Sequence, residues 1–179
     1  MSDKDHPAQN DIERLLAGAA ATIESVRYCW LIGGANGSIR ARPMGRILPS
    51  AEEDNWTIRF VTNRRSRKAA ELRRFDTVSL IFQNDRDDAF LAGSGTTRLI
   101  EVEQDVHALW NERAYAKYFR TREERANVCF IEVRMTCLER WIRGVTPEPF
   151  GLRPTILERK SQGAWTLAHE GVGAPRQQS

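Results

Sequence analysis

Trp56-Thr57-Ile58-Arg59-Phe60-Val61-Thr62-Asn63-Arg64-Arg65-Ser66-Arg67-Lys68 is the stretch on which the reading of this chain turns. It has the pattern of a strand that runs into a basic, hydroxyl-rich turn, with the turn opening a helix. Trp56, Ile58 and Phe60 fall on one face at period two, with Thr57, Arg59 and Val61 on the other. Ser66 suits an N-cap, and Arg67, Lys68, Ala69, Ala70, Glu71 and Leu72 continue as helix formers. Four cations and the side chains of Thr62, Asn63 and Ser66 therefore surround an expected helix N-terminus. Free backbone N–H groups at such a terminus favour an anion, and phosphate is the usual guest. No acidic residue stands between Asn63 and Ala70 to neutralise the site. Arg64 and Arg65, taken singly, read as surface cations.

Upstream, Tyr28 to Ile32 is a compact strand run closed by Gly33-Gly34-Ala35-Asn36-Gly37, and Asn36-Gly37 is a hairpin signal. The return strand covers roughly Ser38 to Leu48, with Arg40, Arg42 and Arg46 on one face and Pro43 implying an edge, a bulge or an interruption. Before it, Ile12, Leu15, Leu16, Ala19, Ala20, Ile23 and Val26 recur at helical spacing from a cap at Asp11. Downstream, Thr77 to Gln83 reads as a strand. Ala89 to Glu103 reads as a longer one bent at Gly93-Ser94-Gly95, where glycines suggest a bulge or a close backbone approach. Gln104 to Arg120 is a second amphipathic helix whose Trp110, Tyr115 and Phe119 suit a core or a dimer interface better than a flat ligand. Asn127 to Arg143 is a long alternating run, with Val128 and Phe130 on one side and Cys129, Ile131, Val133, Met135 and Cys137 on the other. Thr155 to Arg159 and Ala164 to Leu167 form a last hairpin. Short loops between most strands imply a largely antiparallel sheet, and six or more strands with outlying helices imply a mainly β fold, a small closed or split barrel. The domain is expected over residues 11–168, between a flexible lead (1–10) and a flexible tail (169–179).

With 179 residues the chain supports one sizeable core. A hydrophobic fraction of 41% and a charged fraction of 28% are those of a water-soluble globule, and no apolar run approaches the ~20 residues of a membrane span. The polar, mixed-charge start does not resemble a signal peptide, so a cytoplasmic location is expected. Twenty-seven basic against 24 acidic residues leave a net charge of +3, too little to argue for a nucleic-acid partner. Cys29, Cys129 and Cys137 have no metal-ligand spacing and are expected to be small buried hydrophobes. His6, His107 and His169 have no triad or metal partner near them in the sequence, so neither a hydrolase nor a metal site is expected.

Taken in order, these pieces resemble the FMN-binding split barrels related to pyridoxamine 5'-phosphate oxidase, especially the general-stress-protein branch. Arg42-Pro43-Met44 is similar to that branch's Arg-Pro-Met segment. Phe60-Val61-Thr62-Asn63 followed by Ser66-Arg67-Lys68 resembles its aromatic-x-Thr-Asn and Ser-Arg-Lys signature. Val78 to Phe82, Gly93, Trp110 and Glu139-Arg140-Trp141 follow in the family's order, so the likeness spans roughly residues 10–145. It implies a homodimer with two FMN molecules at the interface. Arg42, Pro43 and Met44 would line the flavin and its ribityl chain, and Val61, Thr62 and Asn63 would approach it. Ser66, Arg67 and Lys68 would hold the 5'-phosphate, a role that suits a hydroxyl, a guanidinium and an ammonium. Gln83 suits a flavin edge and a strand end equally, and the resemblance would bring Trp141 and Arg153 to the partner's flavin.

The tail departs from the oxidase itself. There is no Arg-x-His pair, and Pro147-Glu148-Pro149-Phe150 intervenes, so the likeness does not carry vitamin B6 oxidation to this chain. No general base or nucleophile stands out, as expected where a cofactor carries the chemistry. The resulting expectation is a flavin-dependent oxidoreductase taking NAD(P)H or a small organic substrate. Two alternatives are a non-enzymatic flavin-binding stress or sensor protein and a nucleic-acid binder using Arg40, Arg42, Arg64, Arg65, Arg67 and Lys68. Low net charge and few interleaved aromatics weigh against the last.

Overall fold

A computed structural model describes residues 6–35, 38–49, 54–152, 154–160 and 163–168. Helix α1 (His6–Ser25) leads into β1 (Tyr28–Ala35), β2 (Ser38–Gly45) and β3 (Thr57–Asn63). Helix α2 (Arg67–Leu72), β4 (Thr77–Asn84) and β5 (Ala89–Ile100) follow. Three short helices, α3 (Glu103–Leu109), α4 (Glu112–Tyr115) and α5 (Arg122–Ala126), precede β6 (Val128–Ile142), β7 (Thr155–Glu158) and β8 (Thr166–Leu167).

All strand pairs among the described residues are antiparallel. The eight-stranded sheet runs β2-β1-β4-β5-β6-β7-β8, and β3 adds to β6. The 15-residue β6 is the spine, because its first half pairs with both β3 and β5 and its second half with β5 and β7. The sheet curls until the chain after β2 meets β3, but they join only at Ile47 and Arg59, whose backbones exchange bonds of 2.8 and 3.1 Å. The barrel is therefore split rather than closed. Pro43 sits on β2, the outer strand, where a missing N–H costs no ladder bond on the free side.

The period-two reading of the opening stretch holds. Trp56, Ile58 and Phe60 enter the main core with Leu31, Leu80, Phe82, Leu91, Ile131, Val133, Met135 and Leu138. Leu15, Ala19 and Ile23 of α1 cover one side of that core. The other face of β3 and β6 meets a second cluster, where Val128 and Phe130 pack with Ile100 and Phe119, against Val61, Trp110 and Tyr115. Burial on both faces explains why the first half of β6 is apolar at almost every position. The expected bend in β5 is a register shift between Ser94 and Gly95.

Four expectations need correction. α1 starts at His6, before the cap expected at Asp11. β1 continues through Gly33, Gly34 and Ala35, which pair with Arg40, Ile39 and Ser38, so these glycines belong to the strand and not the loop. The turn residues 36–37 lie outside the described residues. β2 ends at Gly45, short of Leu48. The helix expected over 104–120 breaks at Trp110, whose backbone is extended (ψ 128°), and Asn111 starts a new helix by accepting from Ala114 N–H at 3.0 Å.

Candidate functional site

A cleft of about 580 Å³ opens beside the bridge between β2 and β3. One wall is the end of β2 and the residues after it, Pro43, Met44, Gly45, Arg46 and Ile47. A second is the end of β3, Val61, Thr62 and Asn63, with Lys68 of α2. Ala114, Tyr115, Lys117, Tyr118 and Phe119 form the third, and Arg27 and Tyr28 complete the lining. Tyr115 and Phe119 are held from behind by edge-to-face contacts with Trp110 and Phe130 at centroid distances of 5.6 to 6.0 Å. They serve the core and the cleft wall together.

Four cations line the cleft and, among the described residues, no carboxylate does. The Arg46 guanidinium is committed, donating to the carbonyls of Val26 and, at 2.7 Å, Glu24. Those contacts tie the end of α1 to the cleft wall. Arg27 lies over the Tyr28 ring at 5.2 Å and the Lys117 ammonium over the Tyr118 ring at 4.9 Å. Hydrogen bonding to Lys117 comes first among the causes that hold the exposed Tyr118 hydroxyl below its ordinary pKa.

Lys68 is the exception. Its Nζ has one acceptor in reach among the described residues, the Met44 Sδ at 3.4 Å, and a thioether is a weak acceptor. Burial first, and then the nearby charge of Arg42, push the ammonium below its usual pKa. Among the described residues the site thus holds a partly desolvated cation without a counter-ion, which is the condition an incoming anion relieves.

The turn that presents Lys68 satisfies itself. Asn63 Oδ1 accepts from Arg65 N–H at 2.8 Å, and Ser66 Oγ accepts from Ala69 N–H at 3.2 Å. Ser66 is the predicted N-cap. Since α2 has only six residues and its first turn is capped from within, the anion preference rests on Lys68 and not on a helix terminus. Arg64 is not a plain surface cation, because it donates to the carbonyls of Glu101 and Val128 at 3.4 and 3.2 Å. Arg65 is exposed and pairs with Glu123 at 3.5 Å.

Of the residues singled out from the sequence, Pro43, Met44, Val61, Thr62, Asn63 and Lys68 come together in the cleft. Ser66 caps α2 beside it. Arg42 turns from it to Glu71 at 2.8 Å, and Arg67, with a side chain 78% exposed, also reaches Glu71. Gln83 lies at the end of β4 and donates to Asp85 Oδ1 at 2.7 Å. Trp141 stands opposite Phe90 on β6. Neither lines the cleft, and Arg153 is outside the described residues. Sequence reasoning missed Arg27, Tyr28, Lys117 and Tyr118. Tyr115 and Phe119, expected in a core or a dimer interface, line the cleft as well.

The family described as pyridoxamine 5'-phosphate oxidase like matches residues 17–146. Among solved structures, a protein related to general stress protein 26, from Clostridium acetobutylicum, is 17% identical over 82% of this chain and 95% of its own, with a TM-score of 0.65. A pyridoxamine 5'-phosphate oxidase-related, FMN-binding protein from Nostoc punctiforme is 16% identical, over 94% and 96%, with a TM-score of 0.62. A general stress FMN/FAD binding protein from Xanthomonas citri is 21% identical, over 75% and 93%, with a TM-score of 0.60. At these identities the likeness is one of fold. No curated protein matches the chain.

Proposed function

The chain belongs to the pyridoxamine 5'-phosphate oxidase-like family, and from that premise we propose that its cleft holds FMN and that the protein is a flavin-dependent oxidoreductase working as a homodimer. The observation that carries the reading is Lys68, a cation without a counter-ion among the described residues, in a cleft walled largely by apolar and aromatic side chains. A flavin phosphate suits that ammonium, and the tricyclic ring suits Pro43, Met44, Tyr115 and Phe119. FMN, when bound, supplies hydride-transfer chemistry. The chain's own part is to hold the phosphate at Lys68, with Val61 and Thr62 alongside, and to exclude water with the 114–119 segment. A second copy of the chain completes the site in this reading. Tyr28, Trp30 and Ile39 on β1 and β2 are 52, 47 and 83% exposed, an exposed apolar face that includes Tyr28 of the cleft lining.

The test is titration of purified protein with FMN, followed by absorption and by quenching of flavin fluorescence. One FMN bound per chain is the expected result, and a colourless protein that takes up none overturns the reading. Anaerobic addition of NADH, NADPH and small organic reductants then tests the oxidoreductase. A bound flavin that none of them reduces leaves a flavin-binding protein without turnover. Sedimentation at several concentrations checks the dimer.

A further inference from the structure

The chain has three methionines. Met1 lies outside the described residues, and Met135 is 0% exposed in the main core. Met44 is largely buried too, but it borders the cleft, whose 580 Å³ admits a molecule the size of water or hydrogen peroxide. Its Sδ lies 3.4 Å from the Lys68 Nζ and is the one acceptor within reach of that ammonium among the described residues.

A thioether accepts weakly, and the contact leaves the ammonium open to a better partner. Oxidation changes this. Methionine sulfoxide is polar, and its oxygen carries the negative end of the S–O dipole. Bound to this sulfur, that oxygen stands within reach of Nζ and sets negative charge on the wall that an arriving phosphate must approach. The thiols compete poorly for the oxidant. Cys29 stands opposite Met44 on β1, but burial pushes it up to about 12, and Cys129 is pushed up to about 11. Burial raises Cys137 as well. None of the three holds much thiolate, the form that reacts with peroxide.

We propose that Met44 is a peroxide-sensitive modification site whose sulfoxide engages the Lys68 ammonium and weakens the cleft's hold on a phosphate monoester. The proposal rests on the reading that a flavin phosphate sits at Lys68. In the step, a sulfur lone pair attacks one oxygen of hydrogen peroxide and the O–O bond breaks. The attacked oxygen sheds its proton, and the departing hydroxide takes one up and leaves as water. Sulfur loses two electrons and peroxide gains them. Lys68 is placed to hand over the one proton and recover the other. Reduction of the sulfoxide returns the thioether.

The full chain is exposed to graded hydrogen peroxide and followed by peptide mass mapping, with FMN and riboflavin titrated at each dose. Met44 gains one oxygen while Met135 stays unmodified. FMN affinity falls about ten-fold relative to that of riboflavin, which lacks the phosphate, the worth of one charge-assisted hydrogen bond. Met44→Leu starts from its own affinities and keeps them through the same treatment. Reductive methylation of Lys68, mapped in protein without flavin, slows once Met44 is oxidised. Met44 left intact at doses that oxidise a free methionine peptide overturns the proposal. So does an equal loss of FMN and riboflavin, which would mark general damage, or the same relative loss in Met44→Leu. Protein that takes up no FMN before peroxide overturns the flavin reading instead. In that event the Met44 mass and the Lys68 methylation rate still decide the modification, and an unchanged rate overturns the pairing.

Discussion

Lys68 and Arg140 are both cations without a counter-ion among the described residues, and their surroundings give them opposite meanings. Lys68 opens onto a cleft, where an arriving anion can pair with it. Lys68→Ala is expected to weaken FMN binding roughly ten- to a hundred-fold, from ~1.5–3 kcal/mol for a charged hydrogen bond. Little change in fluorescence-quenching titrations would remove Lys68 from the site. Arg140, in contrast, is 0% exposed on β6, and none of its three guanidinium nitrogens has a hydrogen-bond partner among the described residues. Burial pushes its pKa down to about 10, so it remains charged at neutral pH. An unpaired buried charge is costly, and Met fills a similar volume. Arg140→Met should therefore stabilise the fold by ~1–4 kcal/mol, seen as a higher urea midpoint at unchanged slope. A lower midpoint would mean that the guanidinium has a buried partner such as water. The thiols follow the same logic of burial. Cys29 is pushed up to about 12 and Cys129 to about 11, which makes both poor nucleophiles.

Among the elements, β5 and β6 show how two glycines of one strand differ. A Cβ on Gly95 would lie 1.9 Å from the Arg134 carbonyl oxygen, at the register shift. A Cβ on Gly93 would meet Met135 Sδ at 2.3 Å, near the end of a flexible side chain that can swing away. Gly95→Ala is therefore expected to lower the thermal midpoint well beyond Gly93→Ala, because backbone cannot yield without breaking the β5–β6 ladder. Equal losses would count against the close approach. Both glycines stood out in the sequence as a bend or close approach, but which one faces backbone depends on the pairing register. The short helices make a similar point. Thr121-Arg122-Glu123-Glu124 carries a capping box, with Thr121 Oγ accepting from Glu124 N–H at 3.1 Å and Glu124 Oε2 accepting from Thr121 N–H at 2.9 Å. That box and the Asn111 cap are both local signals carried by the sequence. Apolar spacing alone suggested one long helix where cap residues divide it into pieces.

For the molecule as a whole, acid is the expected weakness. Glu132 is 1% exposed on β6 and receives Arg98 at 2.7 Å, Arg59 at 2.9 Å and Arg134 at 3.2 Å. Burial alone would raise its pKa, but the hydrogen bonds and charges of Arg98 and Arg59 overcome that and hold it below the ordinary 4.5. Glu71 is depressed as well. A carboxyl with a lower pKa folded than unfolded contributes stability that is fully present above the unfolded value. That contribution is lost as pH falls through the folded one. Urea midpoints should therefore be flat above about pH 5 on this account and fall as the pH drops through and below 4.5. Glu132→Gln should lower the plateau, by ~3–5 kcal/mol, and flatten the acid limb. An acid limb unchanged in that variant would assign the loss to other groups.

The alternating strands, the Ser66 cap, the glycine bend and the Pro43–Met44 and Thr62–Lys68 segments follow from the order of residues alone. Each is a local preference of a few neighbouring residues, legible wherever period, cap or turn chemistry is written in order. The sequence also carried the family, through the order of those segments. Which cations are available depends on the folded chain. Arg42, Arg46, Arg64, Arg67 and Lys68 look alike in sequence, and four of them are taken by Glu71 or by backbone carbonyls. The fifth is left facing a thioether. A charge is spent or free according to what the fold brings within about 3 Å of it, and those partners come from residues as far apart in the chain as Arg64 and Val128.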